Sequence, residues 1–123
     1  EESMFKDEPD AGGYPVLTDW GLTSVRSVGW LIARYSINDG KGSSIEVNGH
    51  TEKGRKDAWE MSAKQASLVV NKLIEIGVKK EQVVKITGMG DSLPMEIDGN
   101  PIEPTSKKNR RFEVLIRTKP ETE

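Results

Sequence analysis

The chain contains no cysteine, which excludes disulfide staples and thiolate metal sites and leaves packing to hold the fold together. It contains one histidine, His50, and one imidazole without a nucleophile, metal partner or oxyanion donors makes a poor active site. There is no surplus of basic charge: 18 Lys and Arg stand against 20 Asp and Glu, a net charge of −2. The short clusters at Lys53, Arg55 and Lys56 and at Lys107, Lys108, Arg110 and Arg111 therefore read as solvated charge, and nucleic acid is not an expected partner. Long apolar runs are missing too. The longest reach four or five residues, far short of the roughly 20 that span a bilayer. Membrane contact is thus expected only through regions outside this chain. Residues 1–13 lack the basic, apolar, small-residue order of a signal peptide, so an exported protein would carry its signal and anchor upstream.

What is present is one domain's worth of patterned sequence. Residues 1–13, acid-rich with Met4 and Phe5 as the apolar exception, read as a linker or edge segment. From Thr18, a helix N-cap by residue type, Leu22, Val25, Val28 or Gly29, Ile32 and Tyr35 recur at helical spacing. Asn38 to Gly42 end that helix. Ser44–Asn48 alternates around Ile45 and Val47 as a strand. A second helix is expected at Asp57, with Glu60 completing a capping box and Ala63, Ala66, Val70, Leu73 and Ile74 as its buried stripe. Gly77 closes it. Val83, Val84 and Ile86 form a strand ending at Gly88-Met89-Gly90-Asp91. A loop with Pro94, Gly99, Pro101 and Pro104 follows, then a strand with Phe112, Val114 and Ile116 alternating. Arg110 and Arg111 flank that strand, one expected to face the helices and one water. Residues 14–118 make the domain and 119–123 a tail. This order predicts an α+β fold with helices on one face of a mixed sheet.

Three segments carry a resemblance. Ile45-Glu46-Val47-Asn48-Gly49-His50-Thr51-Glu52 is similar to a strand ending in Gly-His-Thr-Asp. Trp59-Glu60-Met61-Ser62-Ala63-Lys64-Gln65-Ala66 is similar to a helix start reading Asn-Trp-Glu-Leu-Ser-x-x-Arg-Ala. Thr87-Gly88-Met89-Gly90-Asp91-Ser92-Leu93-Pro94, paired with Lys108-Asn109-Arg110-Arg111-Phe112-Glu113-Val114, is similar to a Gly-x-Gly-Asp/Glu-x-x-Pro turn with an Asn-Arg-Arg-x-Glu strand. In this order they resemble the OmpA C-terminal, Pal and MotB peptidoglycan-associated domains.

The resemblance implies a two-layer α/β sandwich with a mixed four-stranded sheet. It implies a non-enzymatic module that anchors an envelope or motor protein to the cell wall through the diamino acid of the stem peptide. The setting would be periplasmic, within an inner- or outer-membrane-anchored protein. No cofactor and no metal are implied, His50 is structural through neighbouring backbone groups, and a homodimer is left open. In the family an aspartate accepts from the ligand ammonium and an arginine forks onto its carboxylate. By position these become Glu52 and Gln65, and the asparagine before the tryptophan becomes Ala58. Thr51, Trp59, Ser62 and Arg110 complete the expected binding set, with Trp59 as a core or rim anchor. Lys64 points about 100° away from Gln65 around the helix, and Arg55 or Lys56 on the preceding loop are the cations placed to reach in. An anion kept and a guanidinium lost suits lysine, ornithine or an amidated diaminopimelate. The alternative is a degenerate domain that serves protein–protein interaction without binding cell wall.

Overall fold

The computed structural model describes residues 3–34 and 43–118. Tyr35, the helix end at Asn38–Gly42 and the tail after Thr118 lie outside them. Helix α1 runs Asp19–Arg34, strand β1 Ser43–His50, helix α2 Ala58–Ile76 and strand β2 Val83–Gly88. A small hairpin, β3 Glu96–Ile97 and β4 Asn100–Pro101, precedes strand β5, Arg111–Thr118. Strand β1 is central, parallel to β2 and antiparallel to β5. The class and the mixed sheet are as expected, but among the described residues the main sheet has three strands rather than four. The N-terminal segment makes one bond to the edge, from Met4 N–H to the Arg110 carbonyl. Otherwise it folds back on residues 16–18: Phe5 bridges Leu17, Lys6 N–H donates to Val16, and Thr18 N–H donates to Met4. Its backbone groups are spent there, so it does not add a fourth strand.

Thr18 caps α1 as expected, its hydroxyl accepting from Gly21 N–H at 3.0 Å. The buried face of α1 is Gly21, Val25, Gly29 and Ile32, leaving Leu22 half-buried. The capping box at α2 does not form. Asp57 is the cap residue, but its carboxylate is held by Arg55 Nε at 3.0 Å and caps nothing, while Glu60 pairs with Lys64 one turn on. Gly77 does close α2, with Gly77 N–H on the Ile74 carbonyl and Val78 N–H on Leu73.

The stripe of α2 is wider than the apolar pattern and rotated from it. Ala58, Met61, Ser62, Gln65, Ala66, Val69, Val70 and Leu73 are buried, whereas Ala63 and Ile74 are exposed. The reason is that α2 is covered from two sides, by the sheet and by α1 with the N-terminal segment. Its start lies almost on the sheet. A Cβ at Gly49 would come 2.1 Å from the Ser62 carbonyl oxygen, and one at Gly88 would come 2.6 Å from Ala63 N. Only glycine permits that approach, and it sets the N-terminal turns of α2 beside the loop after β1. Beneath, Val25, Ile45, Val47, Val69, Leu73 and Phe112 form the core with Phe5 from the N-terminal segment. Ile116 is half exposed near the end of β5 despite its alternation with Phe112 and Val114.

Candidate functional site

Position 65 lies one turn beyond Met61 on α2. Gln65 is 1% exposed, and its Oε1 has no hydrogen-bond partner among the described residues. It lines a cavity of about 10 Å³ with Met61, Arg55 and Arg110 from the domain body. Phe5, Lys6, Asp7, Pro9 and Pro15 of the N-terminal segment close the other side. Arg55 therefore does reach this cavity, as its loop position suggested, and Lys56 does not line it.

Glu52 joins the cavity through Arg110 rather than directly. Arg110 Nη2 donates to Glu52 Oε2 at 2.6 Å and Nε to Oε1 at 3.2 Å, a two-pronged grip. Its Nη1 donates to Asp7 Oδ1 at 2.8 Å and to the Phe5 carbonyl at 3.2 Å. Burial pushes the Glu52 carboxyl up, but the Arg110 hydrogen bonds and charge outweigh it and hold Glu52 below the ordinary carboxylate range. The same two opposing effects act on Arg110, whose guanidinium is held more firmly charged by Glu52 and Asp7 than burial would allow. Asp7 is pulled down to about 2 by its hydrogen bond from Arg110 and a second from Lys107.

The other expected binding residues gather around the turn after β2. Ser62 is fully buried; its hydroxyl accepts from Gly90 N–H at 2.9 Å and donates to the Trp59 carbonyl at 3.1 Å. Thr51 N–H donates to the Gly90 carbonyl, and its buried Oγ1 has no partner among the described residues. Trp59 is 62% exposed, with its ring laid against Gly90. It is therefore not in the core, and its ring rests on Gly90 at the surface.

His50 and Arg111 depart from expectation together. The β1–β5 register sets His50 opposite Arg111 and Asn48 opposite Glu113, so imidazole and carboxylate meet diagonally on the face away from α2. His50 Nε2 lies 2.8 Å from Glu113 Oε1. That hydrogen bond is the main cause that holds Glu113 below its ordinary range, so the carboxylate accepts and Nε2 carries the proton. The imidazole thus meets a side chain rather than backbone groups, and its buried Nδ1 has no partner among the described residues. Arg111 is 5% exposed instead of facing water, because the loop after β2 covers it. Its guanidinium donates to the Leu93 and Asn109 carbonyls and to Glu113.

The OmpA family matches residues 24–110 of the sequence, a span that holds Glu52, Gln65, the Gly88–Pro94 turn and the first of the paired arginines. The chain belongs to the OmpA family. The C-terminal domain of Helicobacter pylori MotB is similar in structure, with TM-score 0.69 and 20% identity over 96% of this chain and 85% of that one. The OmpA-like domain of FopA1 from Francisella tularensis subsp. tularensis SCHU S4 is similar with TM-score 0.62 and 20% identity, over 83% of this chain and 64% of that one. A MotB-like protein of Desulfovibrio vulgaris gives TM-score 0.63 and 21% identity, over 84% and 65%. At such identities the likeness establishes the fold. No curated protein matches the chain.

Set against the OmpA-family motifs, sequence reasoning missed Asp7 and Glu113. Asp7 carried no signal beyond the lone apolar pair Met4-Phe5 beside it, since its partner Arg110 is 103 residues away. Glu113 was legible in principle, as the residue diagonal to His50 once β1 and β5 are set in register. Among the described residues no group of acids and histidine could hold a metal ion, and no helix is long and apolar enough to cross a membrane.

Proposed function

We propose that this OmpA-family domain is a non-enzymatic periplasmic module that clips a larger membrane-anchored protein to peptidoglycan through the diamino acid of the stem peptide. Domains of this family bind peptidoglycan. The observation that carries the reading to this chain is Gln65. A buried acceptor with no partner costs about 1–3 kcal/mol, and such a group is most readily tolerated where a ligand donor completes it. An ammonium is the donor that suits Oε1, and Arg55 and Arg110 line the same cavity. A second groove lies on the other sheet face. The groove of about 460 Å³ that His50 and Glu113 share is lined by Met4, Leu93, Pro94, Met95, Glu96, Arg111 and Phe112, with no hydroxyl or thiol among these described residues.

One observation favours a second reading, an interaction module that has given up cell-wall binding. The cavity at Gln65 has room for about one water, and Glu52 is already held by Arg110. Co-sedimentation with purified sacculi separates the two. A peptidoglycan anchor pellets with sacculi and is released by soluble stem peptide, whereas an interaction module stays in the supernatant. If Gln65 alone reads the ligand, its neutral amide selects lysine, ornithine or amidated diaminopimelate. A guanidinium freed beside it would reverse that choice.

A further inference from the structure

We propose that Arg110 is a seat for a ligand carboxylate, and that Asp7 occupies it as a built-in stand-in which the cell-wall ligand must displace. The inference rests on the peptidoglycan reading above and deepens it by naming how the chain itself regulates that site. The two carboxylates on Arg110 are not equivalent. Glu52, 13% exposed at its side chain, grips Nε and Nη2 from within the fold. Asp7, 59% exposed at its side chain, meets only Nη1 from the outer side. One is a fixed support that orients the guanidinium, and the other is an exchangeable occupant.

The segment that carries Asp7 is built to lift. Its base is anchored, since Phe5 is 1% exposed in the core and Lys6 N–H bonds to Val16. Beyond Asp7 the chain bonds mainly to itself: the Asp10 carboxylate accepts from Gly12 N–H and Tyr14 N–H, and Asp10 N–H donates to the Tyr14 carbonyl. This turn meets the domain body through Asp7 on Arg110 and Lys107, through a 3.4 Å bond from Lys64 to the Gly13 carbonyl, through Lys64 over the Tyr14 ring, and through Pro9 and Pro15 at the cavity. The space it covers holds about one water, and a diamino-acid side chain cannot enter unless Asp7, Pro9 and Pro15 move outward. When they do, the Nη1 edge of Arg110 is vacated next to the bare Oε1 of Gln65. A free carboxylate and an ammonium on one residue would fill both, which is the chemistry of unamidated diaminopimelate. The guanidinium lost from position 65 is thus supplied from the residue just before β5, and the lysine, ornithine or amidated alternative becomes the outcome to be excluded.

The test titrates the chain calorimetrically with three stem tetrapeptides that share a terminal carboxylate and differ at the third residue: diaminopimelate, its amide, or lysine. Asp7→Asn keeps the size of the stand-in and removes its charge, and Asp7→Glu restores the charge. If the closed state suppresses binding, Asp7→Asn should bind the diaminopimelate peptide roughly tenfold more tightly than wild type, since the apparent constant scales with the open fraction. Asp7→Glu should return toward wild type, and the amide and lysine peptides should gain little. An unchanged or weaker constant for Asp7→Asn, or an equal gain for all three peptides, overturns the inference while leaving the peptidoglycan reading intact. If neither wild type nor variant binds any stem peptide or pellets with sacculi, the peptidoglycan reading itself fails and takes the inference with it.

Discussion

Arg110 Nη1 lies 2.8 Å from Asp7 Oδ1 across 103 residues of sequence, and this contact fastens the N-terminal segment over the cavity that Gln65 lines. On its other edge the same guanidinium holds Glu52. One side chain thereby links a strand end, the loop after β1 and the N-terminal segment.

That link should be acid-sensitive. Hydrogen bonds from Arg110 and Lys107 hold Asp7 at about 2 against an ordinary 3.8. A group depressed on folding contributes its full stabilisation above the higher value and loses it as pH falls through the lower. The segment beyond Lys6 should therefore loosen between about pH 4 and pH 2, with the Glu8 amide resonance moving toward its unstructured position while Lys6, bonded to Val16, stays in place. In Asp7→Asn this transition should be absent and the Glu8 amide already shifted at neutral pH. A Glu8 resonance that ignores both pH and the substitution would mean that the ion pair does not hold the segment.

Gln65→Leu separates folding from function. Leucine fills the same volume and removes the unpartnered oxygen, so the variant should be as stable as wild type or more stable, by up to about 1–3 kcal/mol. Its retention on sacculi should nonetheless fall. Clear destabilisation on urea denaturation would show that Gln65 is needed by the fold itself.

Glu52→Ala should do the opposite. It strips the two-pronged support from Arg110, which is 4% exposed at its side chain. The loss should be about 2–3 kcal/mol, just under the usual cost of breaking a buried pair because Asp7 still faces the guanidinium. A loss below about 0.5 kcal/mol, the ordinary range for surface changes, would mark the pair as solvated.

Leu73 and Ile74 test the rotated stripe of α2. Leu73 is fully buried, so Leu73→Ala should cost roughly 2–5 kcal/mol. Ile74, expected from the apolar pattern to be buried, is 36% exposed, and its alanine variant should cost clearly less in the same denaturation series. Equal costs would place both on the core face.

Much of the fold was legible because it is written locally. Thr18 announces α1, Gly77 closes α2, and Ile45 with Val47 and Phe112 with Val114 show the period of two that marks strands. What failed had competitors elsewhere in the chain. Asp57 was a sound cap until Arg55, two residues back, took its carboxylate. Trp59 read as a core or rim anchor by residue type, and its indole rests on Gly90 at the surface rather than in the core. The site divided in the same way. Glu52, Gln65 and Arg110 could be placed from motif positions, whereas Asp7 enters through a contact that no local pattern encodes.

The most direct measurement follows the Gln65 side-chain amide and the Trp59 indole by NMR while stem peptide is added. Peptidoglycan recognition at this cavity requires the Gln65 amide to shift in a saturable way, together with the backbone amides of Asp7 and Glu8 as the segment lifts. The exposed Trp30 indole on α1 should stay in place. Saturable shifts confined to Trp30 and its neighbours, or none anywhere at millimolar peptide, would contradict a stem-peptide site at Gln65 and Arg110.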